Sequence, residues 1–456
     1  MTFEDLLPLL MFVTLAVLLF AGYPVAFVLG GVGLTFGLIG SYLDLFHLIE
    51  FFNIAPRIWG GTAENLVLVA IPMFVFMGTM LERSGIAGDL LECLEILLRR
   101  VPGGLALSVT LMGTIMAATT GIIGASVVMM SVLALPAMVR SGYDHPLATG
   151  TICASGTLGI LIPPSIMLVL MADLLGISVG TLFMAAVLPG LILSVLYFLY
   201  IYALCRLRPE LAPALAAEAG PADRGGLLLM VLRSFLPPVF LIVLVLGSIF
   251  GGWATPTEAS GVGAAGAILL ALVKRTLTRE VLVDVVMRTA LTNAMIFGIF
   301  VGATMFSYVF RSLGGDFVVE DLILGSGLHD WGILATIMGV VFVLGFFFDW
   351  LEITLIVLPV FAPIVERLEA LDAHVGGVEF VVPWFAILVA VNLQTSFLTP
   401  PFGFALFYLK GVAPPEVKIQ EIYRGIVPFV LLQLVGLGLV AAFPELALWL
   451  PRALLD

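Results

Sequence analysis

The stretch Asn392-Leu-Gln-Thr-Ser-Phe-Leu-Thr-Pro-Pro-Phe-Gly-Phe404 decides the fold of this chain. Apolar sequence typical of membrane helices lies on both sides of it, at Trp384–Val391 and Ala405–Leu409. Pro400 and Pro401 donate no backbone N–H, and the residue before a proline is disfavoured in a helix. Irregular backbone at membrane depth is tolerated only where protein covers it or where it lines a cavity. The stretch therefore predicts a discontinuous membrane helix that coordinates a ligand.

The composition is that of an α-helical protein that crosses the membrane many times. Of its 456 residues, 61% are hydrophobic and 11% are charged, against roughly 25% charged in soluble domains. Apolar runs of about 20 residues recur from end to end, which is the length that spans a bilayer. The strands of a membrane β-barrel would instead alternate over about 10 residues. The net charge of −12 is scattered, and no basic segment is dense enough for nucleic acid. We therefore expect an all-α polytopic membrane protein surrounded by lipid.

Apolar runs and amphipathic segments place the elements along the chain. The predicted spans are Leu6–Ala21, Val25–Gly40, Leu66–Leu81, Leu182–Leu204, Leu236–Phe250, Gly261–Val273, Leu291–Phe310 and Ile426–Leu448. The amphipathic segments are Asp44–Trp59, Gly85–Arg100 and Lys274–Arg288.

Landmarks of the first part of the chain recur in the same order in the second. Gly22-Tyr23-Pro24 is echoed by Ala254-Thr255-Pro256, and Leu135-Pro136 by Leu358-Pro359. The run Thr157–Pro164, with its two prolines, is echoed by the stretch that ends in Pro400-Pro401. This pattern indicates an internal duplication.

The best linker in the chain is a segment rich in Ala, Pro, Gly and charge. It divides the chain into a first membrane repeat at 1–205, a linker loop at 206–226 and a second membrane repeat at 227–456. Each repeat is predicted to cross the membrane an odd number of times, so the two repeats would be inverted. Matched interrupted helices in two inverted halves are typical of secondary transporters whose site lies at the repeat interface.

Each discontinuous helix is preceded by a segment that suits a re-entrant hairpin. These segments are Thr119–Ser131 and Gly345–Thr354, which have polar centres and return through runs that contain proline. The alternative is an ordinary kinked helix, because Gly and Pro are common in membrane helices.

Three carboxylates fall in apolar surroundings: Asp173, Asp349 and Glu352. A carboxylate inside the membrane costs about 2.5 kcal/mol or more and marks a functional site by default. The alternative is that these side chains lie at the membrane surface, at the ends of their helices.

Broken helices can bind both a cation and an anion. Free carbonyls and hydroxyls coordinate Na⁺, whereas the N-terminal ends of half-helices attract a carboxylate. The hydroxyls in position are Ser126, Thr157, Thr395, Ser396 and Thr399. An anion could thus be moved although neither broken region contains Lys or Arg.

The motifs resemble those of large permease (DctM-like) subunits of TRAP transporters, over nearly the whole chain. They are Asn392–Pro414, Gly252–Ala259, Leu158–Ser165 and Phe347–Ile353. Within that family the Phe-Asp-Trp-Leu-Glu-Ile and Asn-Leu-Gln-Thr-Ser patterns are closer to a 2-oxoacid or mannitol/chloroaromatic-type branch than to dicarboxylate or sialic acid members.

The resemblance implies a tripartite, Na⁺-coupled importer of an organic acid in the bacterial inner membrane, working by an elevator motion. Its partners would be a periplasmic binding protein and a small four-helix membrane subunit, which is expected not to be fused to this chain. The implied Na⁺ ligands are Gly121, Gly124, Ser126, Ser155, Thr157, Asp349, Gln394, Thr395, Ser396 and Thr399. The implied substrate contacts are Ser126, Thr157, Pro163, Asp349, Thr399 and Pro400. The first hairpin departs from many relatives in having Gly-Ala-Ser where they have a serine-rich tip.

Two other functions are alternatives to this one. A stand-alone Na⁺/anion symporter or antiporter could share the same inverted-repeat fold. A membrane-embedded enzyme would need a nucleophile–base pair or a metal-binding constellation, and the sequence contains neither. We therefore expect a transporter and not an enzyme.

Overall fold

The computed structural model describes residues 3–121, 123–213, 224–400 and 403–455. Regular structure in these ranges is helical throughout. Nine of the described helices are long and apolar enough to cross a membrane. The expectation of an all-α polytopic membrane protein is confirmed.

Helices follow one another with short connections. In the first half they are α1 (Phe3–Phe20), α2 (Val25–Tyr42), α3 (Ile54–Ile58), α4 (Ala70–Arg83), α5 (Ile86–Leu98), α6 (Gly104–Thr120), α7 (Ile123–Arg140), α8 (His145–Thr157), α9 (Ile166–Leu175) and α10 (Val179–Leu207). Single turns of 3₁₀ helix occupy Leu48–Asn53, Leu66–Val69, Leu158–Ile160 and Pro209–Leu211, and a π-helical turn occupies Trp59–Ala63.

The second half is also helical. Its helices are α11 (Arg224–Phe250), α12 (Pro256–Val273), α13 (Arg279–Ser312), α14 (Gly315–Leu324), α15 (Asp330–Leu344), α16 (Trp350–Glu352), α17 (Leu358–Glu366), α18 (Glu369–Val375), α19 (Val378–Leu398), α20 (Phe404–Val412), α21 (Ile419–Ala442) and α22 (Glu445–Leu455). A π-helical turn at Ile353–Val357 joins α16 to α17.

Helices of the two halves pack on each other reciprocally. The second long helix of the first half, α2, lies along α13, while α12, its counterpart in the second half, lies along α4. Glycines bring both pairs close: a Cβ on Gly302 would overlap the carbonyl of Ala26, and one on Gly263 would lie 2.7 Å from Sδ of Met77. Small residues at such contacts let membrane helices approach closely. This reciprocity is what a two-fold relation between the halves would produce.

Two predicted boundaries are wrong. The segments Lys274–Arg288 and Leu291–Phe310 were expected as separate elements, but from Arg279 onward they form the single helix α13. No Gly or Pro interrupts that junction, and the i,i+4 ion pair between Arg288 and Asp284 at 3.0 Å stabilises it. The closing span Ile426–Leu448 is instead divided between α21 and α22, because the residue before Pro444 leaves the helical conformation.

The motif at 252–259 turns out to be a helix start. Thr255 precedes α12 and forms a reciprocal capping box with Glu258, in which the Thr255 N–H donates to Glu258 Oε2 at 2.8 Å. The hydroxyl of Thr257 then donates to the carbonyl of Leu66 at 2.9 Å. The motif thus fixes where α12 begins and ties it to the first half of the chain.

Among the described residues of the predicted linker, a 3₁₀ turn at Pro209–Leu211 lies between the two long helices. Helix α10 reaches Leu207 and α11 begins at Arg224. Residues 214–223 of the linker lie outside the described residues, and the division into repeats at 206–226 stays a prediction.

Candidate functional site

The first hairpin is formed by α6 and α7, which meet at Gly121. Gly121 ends α6 with φ of +58°, a left-handed conformation that favours glycine. A Cβ on Gly121 would also lie only 3.2 Å from the side chain of Ile166, the first residue of α9. The tip of the first hairpin therefore packs directly against the first discontinuous helix.

The same tip also contacts the second discontinuous helix. A Cβ on Gly124 would lie 2.9 Å from Cζ of Tyr408 in α20. Glycine at this position lets the aromatic ring lie flat on the start of α7. Gly124 is predicted to belong to a functional tip. The structure shows that it packs against Tyr408, a contact that the sequence did not indicate.

The second hairpin turns at Gly345 and returns through a helix that Asp349 caps. Oδ1 of Asp349 accepts a hydrogen bond from the N–H of Trp350 at 2.8 Å. Glu352 follows one turn later and is 2% exposed. The side chain of Asp349 is thus half-buried and that of Glu352 is buried, and neither lies at an open surface.

The first discontinuous helix breaks between α8 and α9. Thr157 closes α8, where its hydroxyl donates to the carbonyl of Ala154 at 2.9 Å and accepts from Nε2 of Gln433 at 3.5 Å. Pro163, joined to Pro164 by a cis peptide bond, is buried within the break. The hydroxyl of Ser155 lies 3.5 Å from that of Thr110 in α6.

The second break is shorter than the stretch of sequence that predicts it. Helix α19 continues to Leu398, and hydroxyls near its end bond to its own carbonyls: Thr395 donates to the carbonyl of Asn392 at 2.5 Å, and Thr399 to that of Thr395 at 2.6 Å. The side-chain amide of Asn392 donates across to the carbonyl of Met338 in α15 at 2.8 Å. The chain leaves the helix only at Thr399, immediately before Pro400. Pro401 and Phe402 lie outside the described residues.

In both halves a glycine of the hairpin packs on a serine of the discontinuous helix. A Cβ on Gly113 in α6 would lie 2.7 Å from Cβ of Ser155. A Cβ on Gly345 would overlap the hydroxyl of Ser396, which donates weakly to the carbonyl of Phe342 at 3.4 Å. Each serine is therefore buried between its own helix and the hairpin beside it.

The two tips and the two breaks meet at one cavity of about 70 Å³, the central cavity. The described residues that line it are Ile123, Gly124, Ile166, Thr292, Met295, Ile296, Asp349, Trp350, Leu351, Phe397, Phe404 and Tyr408. Its volume is well below the roughly 300–1,000 Å³ of sites for drug-sized ligands. In this conformation the central cavity has the size of an ion with a little water.

Four helices begin at the central cavity. Ile123, Ile166, Trp350 and Phe404 are the first residues of α7, α9, α16 and α20, and all four line it. The first N–H groups of a helix have no partner within it, and the start of a helix of several turns carries a partial charge of about +0.5; at α16 the N–H of Trp350 is already bonded to Asp349. Asp349 is the only carboxylate among the described lining residues. The cavity thus combines converging positive helix ends with one acidic side chain.

The structure separates the predicted site residues into two groups. Gly124 and Asp349 line the central cavity, and Gly121 touches its wall through Ile166. The others are not among the described lining residues: Ser126, Ser155, Thr157, Pro163, Gln394, Thr395, Ser396, Thr399 and Pro400. Of these, Thr399 and Pro400 are half-buried and the rest are buried.

Several lining residues could not have been found from the sequence. Tyr408 and Phe404 lie in an apolar run, and Thr292, Met295 and Ile296 lie in a helix that was predicted as an ordinary span. In the sequence these residues cannot be distinguished from lipid-facing or core residues of ordinary helices. They line the cavity only because their helices pack against the breaks.

Buried polar atoms without a partner surround the second break. Within the described residues, neither amide atom of Gln394 has a hydrogen-bond partner, nor do Oε2 of Glu352 and Oγ1 of Thr354. All three side chains are 2% exposed or less. Such groups are rare in folded proteins, and an ordered water or ion at these positions would satisfy them.

Transition-metal chemistry finds no support in the described part of the chain. It holds no group of three or more His, Cys, Asp or Glu side chains that could bind a metal ion. The available ligands are carbonyl, hydroxyl, amide and single carboxylate oxygens, which suit a hard cation.

The chain matches a family model over residues 12–446, that of the tripartite ATP-independent periplasmic transporter, DctM component. It is 31% identical to the C4-dicarboxylate TRAP transporter large permease protein DctM of Pseudomonas aeruginosa, covering 86% of this chain and 87% of that one. It is 27% identical to the sialic acid TRAP transporter large permease protein SiaM of Vibrio cholerae, covering 96% and 97%.

Among solved structures the chain resembles the YdaH transporter of Alcanivorax borkumensis, with a TM-score of 0.60 at 15% identity over 89% of each chain. At this identity the similarity shows the fold alone. Together with the family match and the spanning helices, the expected resemblance to large permease subunits is confirmed. The chain is a multi-pass membrane transport protein, not an enzyme, and belongs to the DctM family of TRAP transporter large permeases.

Proposed function

We propose that this chain imports an organic acid together with Na⁺ across the bacterial inner membrane. A periplasmic binding protein delivers the substrate, and a small four-helix membrane subunit braces the permease. The observation that carries the proposal is the central cavity, where four helix N-termini converge beside Asp349. Two inverted repeats that move as an elevator would carry this cavity from one side of the membrane to the other.

The helix N-termini account for anion recognition without a basic side chain. No Lys or Arg is among the described residues that line the central cavity. Backbone N–H groups at a helix start bind carboxylates directly, and the helix dipole adds to the attraction. A carboxylate held this way would leave the site easily, since it makes no buried ion pair.

Na⁺ fits the donor set around the breaks. Asp349, the hydroxyls near the breaks and the unpartnered amide oxygen of Gln394 are all hard oxygen ligands. A cation bound there would offset the charge of the substrate carboxylate, so each ligand would favour binding of the other. Such mutual dependence is the physical basis of coupled transport.

An organic acid is the substrate class that the relatives favour. Their names include transporters for C4-dicarboxylates, sialic acid, isethionate and ectoine. The first three compounds are anions, and ectoine carries a carboxylate. The closer placement in a 2-oxoacid or mannitol/chloroaromatic-type branch stays a prediction.

The distribution of basic residues supports an orientation with both chain ends outside. In this orientation four basic residues lie at or near the outer ends of helices: Arg57, Arg311, Arg367 and Arg452. The other basic residues of the 19 in the chain lie at or near inner ends. Lys and Arg are enriched on the cytoplasmic side of membrane proteins.

Reconstitution tests the proposed function. Proteoliposomes that contain the permease and the small subunit are supplied with the binding protein of the same system, loaded with its radiolabelled acid. We expect uptake that needs all three proteins and an inward Na⁺ gradient. Robust uptake by the permease alone would instead support a stand-alone Na⁺/anion symporter or antiporter.

Replacing both Ser396 and Thr399 with Ala should raise the Na⁺ concentration for half-maximal uptake by about tenfold. A tenfold shift corresponds to about 1.4 kcal/mol of Na⁺-binding free energy, which we expect the two hydroxyls to contribute together. The measurement is initial uptake against Na⁺ concentration. The control is Thr336→Ala, which removes an exposed hydroxyl with the same i−4 bond, to Gly332 at 2.8 Å. Unchanged Na⁺ dependence in Ser396→Ala/Thr399→Ala would remove these hydroxyls from the ion site.

A further inference from the structure

A second cavity lies on the outer side of the central one, in the orientation proposed above. It has a volume of about 350 Å³, and we call it the outer vestibule. Its described lining residues are Arg57, Gly61, Asn65, Asp173, Leu174, Phe300, Ala303, Thr304, Ser307, Tyr308, Arg311, Leu355 and Pro359. More than half of the side chains in this wall are polar or charged, unlike the largely apolar wall of the central cavity.

Arg57 gives the vestibule a free positive charge. Its guanidinium lies over the ring of Tyr308, 4.7 Å from the ring centre. The hydroxyl of Tyr308 accepts a hydrogen bond from Asn53 at 3.0 Å, which holds the ring in place. No carboxylate within the described ranges forms an ion pair with Arg57. The guanidinium is therefore positioned by an aromatic ring, and Arg57 is one of the residues that line the cavity.

The other charges at the vestibule are those of Arg311, Asp316 and Asp173, which together leave one negative charge. Arg311 pairs with Asp316 at 3.4 Å. Asp173 accepts two hydrogen bonds from the amide of Asn65, at 2.9 and 2.8 Å, and it has no ion-pair partner among the described residues. Counting Arg57, Arg311, Asp316 and Asp173, the charges sum to zero, but the oxygens of Asp173 already accept the hydrogen bonds of Asn65, whereas the guanidinium of Arg57 has no carboxylate partner among the described residues. The donors that remain for a ligand are those of the arginines and of the Ser and Thr hydroxyls.

One face of α13 joins the two cavities. Thr292 and Ile296 line the central cavity, and Phe300, Ser307 and Arg311 line the vestibule. Residues spaced by three or four positions lie on one face of a helix. The opposite walls belong to α9, which follows the first break, and to the helix that returns from the second hairpin. The vestibule therefore shares one face of α13 with the central cavity and is bounded by helices that follow the first break and the second hairpin.

We propose that the outer vestibule is an anion-collecting entry site, in which Arg57, assisted by Arg311, receives the carboxylate of the substrate before it reaches the central cavity. The proposal rests on the proposed function for the identity of the anion. A guanidinium binds a carboxylate through two parallel hydrogen bonds. Because Arg57 is stacked and not ion-paired, it can bind and release the substrate without breaking a salt bridge of the protein.

Charge selectivity in the vestibule can be measured without transport. Ser307→Cys places a half-buried thiol in its wall, while Cys93, Cys153 and Cys205 are all buried. The rate of modification is compared for thiosulfonate reagents that carry a sulfonate or a trimethylammonium group. We expect the sulfonate reagent to be favoured, and Arg57→Gln to lower the ratio of the two rates about threefold or more. Protein without Ser307→Cys gives the background.

Arg367→Gln is the matched control. Arg367 pairs with Glu320 at 2.5 Å near the same end of the molecule, and it is not among the described residues that line the vestibule. This variant removes the same charge and should leave the ratio unchanged. Arg57→Lys, which keeps the charge, should retain most of the preference for the sulfonate. Size-exclusion profiles of all variants establish that they fold.

Uptake provides the second measurement. In the complete reconstituted system we expect Arg57→Gln to raise the KM for substrate about threefold or more while kcat changes little. Added salt should weaken uptake by wild type more than uptake by the variant, because salt screens the attraction.

The outcomes separate the two proposals. A rate ratio that is the same in wild type and Arg57→Gln, or a preference for the cationic reagent, overturns the entry site even if Na⁺-coupled uptake is observed. A ratio that falls in Arg57→Gln supports an anion-selective vestibule, and failure of uptake with all components present would then overturn the proposed function alone.

Discussion

Asp349→Asn should reduce Na⁺-coupled uptake by about 100-fold or more. The substitution removes the only carboxylate among the described residues of the central cavity. A charged ligand contributes up to about 3 kcal/mol, which corresponds to roughly two powers of ten. Asparagine is as good an N-cap as aspartate, so the bond to the N–H of Trp350 and the start of α16 are kept. The measurement is the initial rate of uptake under an inward Na⁺ gradient.

Asp330→Asn is the control for this prediction. Asp330 also accepts a backbone N–H, from Ala370 at 2.8 Å, but it is not among the described lining residues of the central cavity. Asp330→Asn should leave the initial rate of uptake within about twofold of the wild-type rate. Surface substitutions change the free energy of unfolding by about 0.5 kcal/mol or less, so the variant should fold normally. Wild-type Na⁺ dependence in Asp349→Asn would show that the carboxylate is not an ion ligand.

Gly425→Ala should destabilise the folded protein by about 3 kcal/mol or more. Helices α8 and α21 cross with their backbones in contact: a Cβ on Gly425 would overlap the carbonyl oxygen of Pro146, and one on Gly150 would overlap that of Gly425. Overpacking costs about 1–3 kcal/mol where side chains can shift. Here the obstacle is backbone, so the helices themselves must separate. The measurement is thermal unfolding of the purified protein in detergent.

Gly438→Ala tests the same change elsewhere on α21. No atom lies within 4 Å of the Cβ that this substitution adds. Alanine is favoured over glycine in a helix by about 0.8–1.0 kcal/mol, so this variant should be as stable as wild type or slightly more so. Equal stability of the two variants would mean that α8 and α21 do not need their close contact.

The sequence reveals the breaks more reliably than the ligands beside them. Two successive prolines after a polar run disfavour helix strongly, and the residue before a proline is biased away from the helical conformation, so the end of α19 at Thr399 could be predicted from local sequence. Hydroxyls can bond to their own helix, to another helix or to an ion, and nothing local decides between these. In the structure Thr395 bonds to its own helix, while Ser155 lies against α6.

Composition, apolar length and the proline and glycine breaks were enough to predict an all-α membrane protein with two hairpins and two discontinuous helices, because these features depend on the solvent and on local backbone conformation. Which side chains share a cavity depends on contacts between segments far apart in the chain, such as Gly124 with Tyr408. Only the tertiary structure could therefore show that four helices begin around Asp349, at Ile123, Ile166, Trp350 and Phe404. It alone also places the guanidinium of Arg57 in a separate cavity, the outer vestibule.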